Sequence, residues 1–186
     1  MYPTLKSERL VLRPWCEADL EPFAAINADP LAMRHMPGTM TLDETRTMIG
    51  RIEDHHRAHG FGIWAVEVPG TAPFIGFLGL QRVGFDAPFT PAVEIGWRLA
   101  PAHWGRGYAT EGAKAALRFG FEKSNLDQIV SFTVPANKPS WSVMERIGMT
   151  RDPGGDFDHP RLPEGHPLRR HILYRLTLAE WLGPKK

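Results

Sequence analysis

The chain has almost no cysteine and no long hydrophobic run, and each absence excludes a class of protein. Its single cysteine, Cys16, cannot form an internal disulfide and stands in no metal-ligand spacing, which favours a reducing compartment. No apolar stretch approaches about 18 residues, and the first residues lack the apolar core of a signal peptide. We therefore expect a cytoplasmic protein without a membrane partner.

The chain also lacks a block of like charge. Its 22 lysine and arginine residues nearly balance 21 aspartate and glutamate residues, so that the formal net charge is +1. This balance excludes a general polyanion binder, and we expect no nucleic-acid partner. No repeat or linker divides the 186 residues, of which 42% are hydrophobic. We expect one domain over residues 1–186, with a sizeable core.

Hydrophobic periodicity predicts strands and helices in a mixed order. Helices are predicted to begin near Glu17, after Thr41, near Tyr108 and at Ser140, and the second of them is expected to end at Gly60. Strands are predicted at residues 9–13, 61–68, 74–83, 92–99, 129–134 and 169–178. Strands that first run consecutively and then alternate with helices indicate an α/β or α+β sheet layered with helices.

One segment, Pro153 to Pro167, has the composition of a long loop. It contains four prolines and three glycines, together with the carboxylates of Asp156, Asp158 and Glu164. Loops of this length are usually functional or disordered. We expect either a substrate-facing loop, whose carboxylates attract a cationic acceptor, or a solvated excursion.

Residues 93–112 predict a site for an anion. The apolar run from Ala92 to Leu99 reads as a strand, Pro101 stops it, and Gly105 and Gly107 precede a helix that begins near Tyr108. The first N–H groups of a helix have no intrahelical partner and favour negative charge. Arg106 adds a positive charge within the turn, so the stretch is suited to a phosphate ester.

Two common phosphate motifs do not fit this turn. A dinucleotide fingerprint requires a third glycine where Thr110 stands, and a P-loop would close with Gly-Lys-Ser/Thr, whereas this turn closes with Gly107-Tyr108-Ala109. A nucleotide-binding domain is therefore the weakest of the readings we consider.

The turn does resemble that of a third family. Gly107 and Ala109 fit the Gln/Arg-x-x-Gly-x-Gly/Ala pyrophosphate turn of the GCN5-related N-acetyltransferases (GNAT), with Trp104 in place of the usual polar residue. A second signature follows in the right order, with Asn137-Lys-Pro-Ser140, Met144 and Gly148-Met149. The whole chain resembles the branch of ribosomal-protein N-terminal acetyltransferases.

The resemblance implies a mixed, splayed central sheet flanked by helices, with acetyl-CoA as co-substrate and no metal. The pantetheine arm would enter between the strands that end at Leu99 and Val134. Backbone groups of the first strand would contact the thioester, the turn would bind the pyrophosphate, and Asn137 would hold the pantetheine amides. The implied cofactor-binding residues are Trp97, Arg98, Leu99, Trp104, Gly105, Arg106, Gly107, Tyr108, Ala109, Thr110 and Asn137.

Two residues are candidates for catalysis. Glu94 lies in an otherwise apolar strand, where burial would raise its pKa and make it a general base; the alternative is a half-exposed or arginine-paired carboxylate. Many relatives use a tyrosine where this chain has Met144, which cannot donate a proton. Ser140 could donate instead, or simply cap the helix that it begins.

The expected function is an N-acetyltransferase in which a primary amine attacks acetyl-CoA directly in a ternary complex. The resemblance suggests a protein N-terminus as acceptor, and small-molecule amines remain open, as does a homodimer. The alternative is a non-catalytic acyl-CoA-binding or regulatory module. His55 and His59 share a helical face but have no acidic or cysteine co-ligand, so we expect no metal site there. His103 precedes the turn and could meet a phosphate or a substrate, but we expect it to pack within the loop, and we expect Glu111 to be structural.

Overall fold

A computed structural model describes residues 3–183 of the chain. The described residues form five α-helices, namely α1 (Leu20–Ala28), α2 (Leu42–His59), α3 (Tyr108–Lys123), α4 (Lys138–Arg146) and α5 (Leu178–Leu182). They form eight strands, namely β1 (Leu5–Lys6), β2 (Val11–Arg13), β3 (Ile63–Val68), β4 (Ala72–Arg82), β5 (Val93–Leu99), β6 (Gln128–Thr133), β7 (Thr150–Asp158) and β8 (Arg170–Thr177). None of the helices in this range is long and apolar enough to cross a membrane.

The strands form one sheet in the order β1-β2-β3-β4-β5-β6-β8-β7. Neighbouring strands are antiparallel except β5 and β6, which are parallel. Alternate residues of β3 enter different cores, because Trp64 packs with residues of α3 and α4 whereas Ile63 packs with residues of α1 and α2. The sheet is therefore covered by helices on both faces, which confirms the predicted mixed, helix-flanked architecture.

The caps of α2 are those that the sequence predicts. The Thr41 hydroxyl accepts from the Glu44 N–H at 3.2 Å, and the Glu44 carboxylate accepts from the Thr41 N–H at 2.7 Å. Gly60 ends the helix with a φ of 74°, a left-handed conformation that glycine adopts without strain.

Small residues bring α3 close to the sheet. Ala113, Ala116 and Leu117 are completely buried, whereas Lys114 and Arg118 face solvent. A β-carbon at Gly120 would lie only 2.9 Å from methyl groups of Leu80 and Ile129, so a larger residue would force the helix outward. The close packing sets the position of the N-terminus of α3, where the glycine turn leads into the helix.

The prediction of a loop from Pro153 to Pro167 is wrong for its first six residues. Residues 150–158 form β7, which pairs with β8 through an irregularity between Asp152 and Phe157. This irregularity accommodates Pro153 and two glycines, and Asp152 stabilises it by accepting from the Gly155 N–H at 3.2 Å and from Arg175 Nε at 2.5 Å. The connecting loop is residues 159–169.

Candidate active site

The sheet opens between β5 and β6. The two strands pair in register only where Glu94 lies opposite Val130, although they continue to Leu99 and Thr133. Just beyond that pair, the Ser131 hydroxyl donates to the Ile95 carbonyl at 2.9 Å. The splay predicted between these strands is thus present, and it forms a gap between their C-terminal halves.

The register of β5 with β4 determines which main-chain groups face this gap. Bonds from Ala100 N to Ile75 O (2.8 Å) and from Val83 N to Ala92 O (2.9 Å) mark hydrogen-bonded pairs at both ends of the ladder. Because such pairs alternate, the main chains of Trp97 and Leu99 face the gap and that of Arg98 faces β4. The predicted thioester contact from the main chain of Arg98 is therefore not supported, because strand pairing already occupies these groups.

The glycine turn has the geometry of an anion site. Gly105 and Gly107 have φ values of 72° and 80°, and Gly107 is the N-cap of α3 without a capping side chain. The N–H groups at the start of α3, from Tyr108, Ala109 and Thr110, therefore have no side-chain cap. Trp104, Gly105, Arg106 and Gly107 are exposed, although the Trp104 indole N–H donates to the Leu99 carbonyl at 2.7 Å.

Arg9 supports this turn, and sequence reasoning missed it. Its Nη1 donates to the Arg106 carbonyl at 3.0 Å, and its Nη2 pairs with the Glu111 carboxylate at 2.7 Å. Its guanidinium also lies 4.9 Å from the centre of the Tyr108 ring. The contact joins residues that are 97 positions apart, so no local pattern reveals it. Glu111, expected to be structural, is the carboxylate that holds Arg9 in place.

Glu94 has the environment of a general base. It is partly buried on the sheet face that α1 and α2 cover, and Gln81 Nε2 donates to its Oε2 at 3.2 Å. Burial raises the pKa of Glu94 to about 7, and the Gln81 hydrogen bond opposes this only in part. Within residues 3–183 no basic group lies within 4 Å of its carboxylate, so the arginine-paired alternative is not observed.

The helix after β6 begins two residues earlier than predicted. Asn137 occupies the N-cap position of α4, and its Nδ2 donates to the Thr133 hydroxyl at 2.9 Å. Ser140 therefore lies inside the first turn and does not cap the helix. Its hydroxyl is partly exposed and has no hydrogen bond among the described residues. Met144 is 1% exposed and belongs to the core cluster that contains residues of α3 and α4.

A cleft of about 690 Å³ lies between α2 and the sheet, on the same face as Glu94. Gln81 joins the two, because it lines the cleft and donates to Glu94. Arg161 from the 159–169 loop also lines the cleft, and its Nη2 donates to the Gly84 carbonyl at 2.5 Å. The later part of the predicted loop thus lies beside the candidate site.

The carboxylates expected to attract a cationic acceptor are largely used within the protein. Asp156 pairs with Arg151 at 2.5 Å and accepts from the Leu173 N–H at 3.2 Å. Asp158 lies 3.5 Å from Arg170. Neither carboxylate lines the cleft, whereas the positive Arg161 does. The prediction of a loop that attracts cations is therefore not supported for these two residues.

The histidine pair on α2 is structural. His55 Nε2 accepts from the Arg82 N–H at 2.9 Å, which leaves the proton on Nδ1 to donate to the Phe61 carbonyl at 3.1 Å. The His59 ring packs against it with centroids 4.6 Å apart. Because both nitrogens of His55 are occupied, the ring fastens α2 to β4.

Comparison with known protein families identifies the family of this chain. The acetyltransferase (GNAT) domain family matches residues 9–150, which includes the splayed strands, the glycine turn and α4. The chain belongs to the GNAT acetyltransferase family and is an N-acetyltransferase of that family.

Individual relatives cover most of the chain. The FsC-acetyl coenzyme A-N(2)-transacetylase of Aspergillus fumigatus is 31% identical, over 88% of this chain and 78% of its own length. The crystal structure of a GNAT acetyltransferase from Bacillus anthracis is 28% identical, with a TM-score of 0.78, over 95% of this chain and 99% of that one. Mycobacterium smegmatis RimJ, solved in complex with CoA-disulfide, shares the fold with a TM-score of 0.76 at 21% identity, over 98% and 90% of the two chains.

Proposed function

We propose that the protein transfers the acetyl group of acetyl-CoA to a primary amine by direct attack in a ternary complex. The observation that carries the proposal is the position of Glu94. Its carboxylate lies at the point where β5 and β6 separate, on the face that bears the cleft, and burial raises its pKa to about 7. A base of that pKa, beside an opening through the sheet, suits an amine entering from one face and a thioester from the gap.

The donor side is suited to coenzyme A. The left-handed glycines at 105 and 107, and the N–H groups at the start of α3, offer donors to a pyrophosphate, and Arg106 adds a positive charge. Main-chain groups of Trp97 and Leu99 along the gap, together with Asn137 at its far side, offer hydrogen bonds to the amides of a pantetheine arm. The names of two relatives support this donor, since one contains acetyl coenzyme A and the other reports a CoA-disulfide complex.

The chemistry requires three tasks of the protein. When bound, acetyl-CoA supplies the thioester carbonyl that the amine attacks, so that a C–N bond forms and the C–S bond breaks. Glu94 removes the proton of the amine, directly or through water. A main-chain N–H group of Trp97 or Leu99 donates to the carbonyl oxygen as it gains charge. The hydroxyl of Ser140 donates a proton to the departing sulfur, or orders a water that does so, and this donor regains a proton from solvent, to which Glu94 later releases its own.

Positioning carries most of the rate enhancement if the acceptor is an α-amine. The α-amine of a peptide titrates near 7.7–8.0, about one unit above the pKa of Glu94, so proton transfer costs little. A lysine amine near 10.4 would demand far more of the same base. The pKa of Glu94 therefore suits an amine less basic than a lysine side chain, whether it belongs to a protein N-terminus or to a small molecule.

The second candidate is a module that binds acyl-CoA without turnover. It is favoured by Met144, which is buried in the core at the position where many relatives carry a proton-donating tyrosine. Measuring thiol release from acetyl-CoA across a panel of amines separates the two. We expect amine-dependent release, with double-reciprocal plots that intersect when both substrates are varied. Tight CoA binding without release would favour the module, and parallel plots would contradict a ternary complex.

A further inference from the structure

Arg98 is a partly buried arginine whose charge is not neutralised. Its Nη1 donates to Asn27 Oδ1 at 2.7 Å, and its guanidinium carbon lies 5.4 Å from the centre of the Phe77 ring. No carboxylate lies within 4 Å of it in the part of the chain that the structure describes. Burial lowers the pKa of Arg98 to about 10, which leaves it charged at neutral pH.

Arg13, near the same face of the sheet, is an arginine whose charge is neutralised by carboxylates of the protein. Arg13 makes two parallel hydrogen bonds to the Asp19 carboxylate, at 2.7 and 2.8 Å, and a third bond to Glu67 at 3.0 Å. A desolvated guanidinium is costly unless an anion accompanies it. Arg13 has that anion within the fold, whereas Arg98 Nε and Nη2 have no hydrogen-bond acceptor among residues 3–183.

The guanidinium is held in one orientation by a buried polar chain. Asn27 is completely buried, and its Nδ2 donates to the Thr45 hydroxyl at 3.1 Å. That hydroxyl in turn donates to the Thr41 carbonyl at 2.9 Å. With its amide nitrogen committed to Thr45, Asn27 can present only its oxygen to Arg98. The arrangement fixes the guanidinium without neutralising it, as a preorganised binding group requires.

Arg98 and the candidate base lie on the same face of β5, on either side of Gly96. Side chains alternate along a strand, so residues 94, 96 and 98 share a face at intervals of roughly 6.6 Å. Apart from its chain neighbours, a β-carbon at Gly96 would meet only Glu94 Oε1 within 4 Å among the described residues, at 3.7 Å, so the space above it is open. Met40 touches Arg98, with Sδ 3.9 Å from Nη1, and also lines the cleft.

We propose that Arg98 binds an oxyanion of the acceptor, and that the acceptor is a small amine with a carboxylate or another oxyanion a few bonds from its nitrogen. The proposal rests on the proposed function, because it places the reacting amine above Gly96, near Glu94. A planar guanidinium with two free donors matches an oxyanion in a two-pronged contact. A peptide N-terminus would offer only neutral carbonyl oxygens at that distance, so the site favours a molecule of amino-acid type.

The first test compares matched acceptors with the unmodified protein. Each set contains an amino acid, its carboxamide, the amine in which a methyl group replaces the carboxylate, and the phosphonate analogue. With kcat/KM calculated on the concentration of neutral amine, because a carboxylate raises the pKa of the adjacent amine, we expect it to be about 10–100-fold higher for the carboxylate than for the carboxamide or the methyl analogue. The phosphonate distinguishes a carboxylate-specific site from one for oxyanions in general. Equal kcat/KM for the charged and neutral members would overturn the inference, even with robust acetyl transfer.

The second test assigns the effect to Arg98. Arg98→Met keeps the length without the charge, and we expect it to abolish the preference for the carboxylate while the KM for acetyl-CoA stays unchanged. Arg98→Lys should retain part of the preference, because it keeps the charge but not the fork. Arg51→Met is the matched control, since Arg51 is an exposed arginine that lines the same cleft.

The outcomes separate this inference from the proposed function. If Arg51→Met lost the carboxylate preference and Arg98→Met kept it, the oxyanion would bind Arg51, and the assignment of Arg98 as its binding residue would be overturned. An Arg98→Met protein that fails to fold leaves the decision to the acceptor comparison and to Arg98→Lys. Thiol release from no amine of either kind, by a protein that binds CoA, would instead contradict the proposed acetyl transfer on which the inference rests.

Discussion

Oε1 of Glu94 lies 3.7 Å from the point that a β-carbon on Gly96 would occupy. Apart from its own chain neighbours, no other heavy atom of the described residues comes within 4 Å of that point. The proposed base and the open space above Gly96 therefore lie side by side on one face of β5. The absence of a side chain at residue 96 leaves room for an acceptor beside the carboxylate.

Gly96→Ala should separate stability from function. The methyl group meets only ordinary van der Waals contact, and alanine restricts the unfolded chain more than glycine, so the variant should fold with unchanged or slightly higher stability. We expect the KM for the acceptor to rise about 10-fold or more, because the added methyl group would displace the bound acceptor by about 1 Å. Steady-state kinetics with each substrate varied provide the measurement.

Gly154→Ala is the matched control for this change. Its β-carbon would also meet a carboxylate oxygen at ordinary distance, Asp152 Oδ1 at 3.6 Å, but in β7 and away from the gap. The control should leave both KM values unchanged. An equal effect of the two substitutions, or a rise in the KM for acetyl-CoA in Gly96→Ala, would remove Gly96 from the acceptor surface.

Glu94→Gln should remove the base while keeping its volume and its contact with Gln81. We expect kcat to fall about 10²–10⁴-fold at neutral pH, the usual range for loss of a general base. Activity of the unmodified protein should rise through pH 7 as Glu94 loses its proton, whereas the variant should follow only the ionisation of the amine. A variant that retains the limb near pH 7, or nearly full activity, would show that another group titrates there.

The same substitution should stabilise the protein at alkaline pH. The pKa of Glu94 is higher in the folded state, about 7, than the ordinary 4.5, so the folded state prefers the protonated form. The stability that this proton contributes is complete below about pH 4.5 and is lost as the pH rises through 7. Glutamine cannot ionise, so Glu94→Gln should gain on the order of 1–3 kcal/mol relative to the unmodified protein by pH 8. Urea unfolding at pH 5 and pH 8 measures the difference, and a constant difference would contradict the assigned pKa.

The sequence predicted features that depend on local pattern. The caps of α2 at Thr41 and Gly60, the small face of α3 and the glycine turn all follow from residue types a few positions apart. It did not predict β7, because the Pro153-Gly154-Gly155 segment is typical of loops and only pairing with β8 keeps it in the sheet. The contacts of Arg9 and Arg98 were missed for a related reason, since each depends on a partner about 70–100 residues away.

Gly107→Val should obstruct the pyrophosphate site. Residue 107 has a φ of 80°, which a β-branched residue rarely adopts, and its β-carbon would lie 3.3 Å from Arg9 Nη2. Gly60→Val imposes a similar backbone strain, with a φ of 74°, at a helix end where the added β-carbon meets no other described residue within 4 Å beyond its chain neighbours. Both variants should lose some stability, but calorimetry should record weaker CoA binding only for Gly107→Val. Unchanged affinity in the folded Gly107 variant would contradict the assignment of the turn.

Ser140→Ala should slow departure of the thiol without weakening CoA binding. The Ser140 hydroxyl is partly exposed, has no hydrogen bond within residues 3–183, and lies in the first turn of α4, next to Asn137 at the edge of the gap. Because Asn137 already occupies the N-cap position, removing this hydroxyl does not uncap the helix, and the melting temperature should hardly change.

If the Ser140 hydroxyl donates a proton to the sulfur, kcat of Ser140→Ala should fall about 10–100-fold. This loss is smaller than the usual loss of a general acid can be, because a thiol with a pKa near 8.5 also leaves as an anion. A donor with a less basic thiol should restore most of the rate. Ser142→Ala is the control, since Ser142 is also partly exposed and lies in the same helix, two positions further on. Equal losses in both variants, or a loss that a less basic thiol does not restore, would assign Ser140 to packing and leave the departing sulfur to be protonated by solvent.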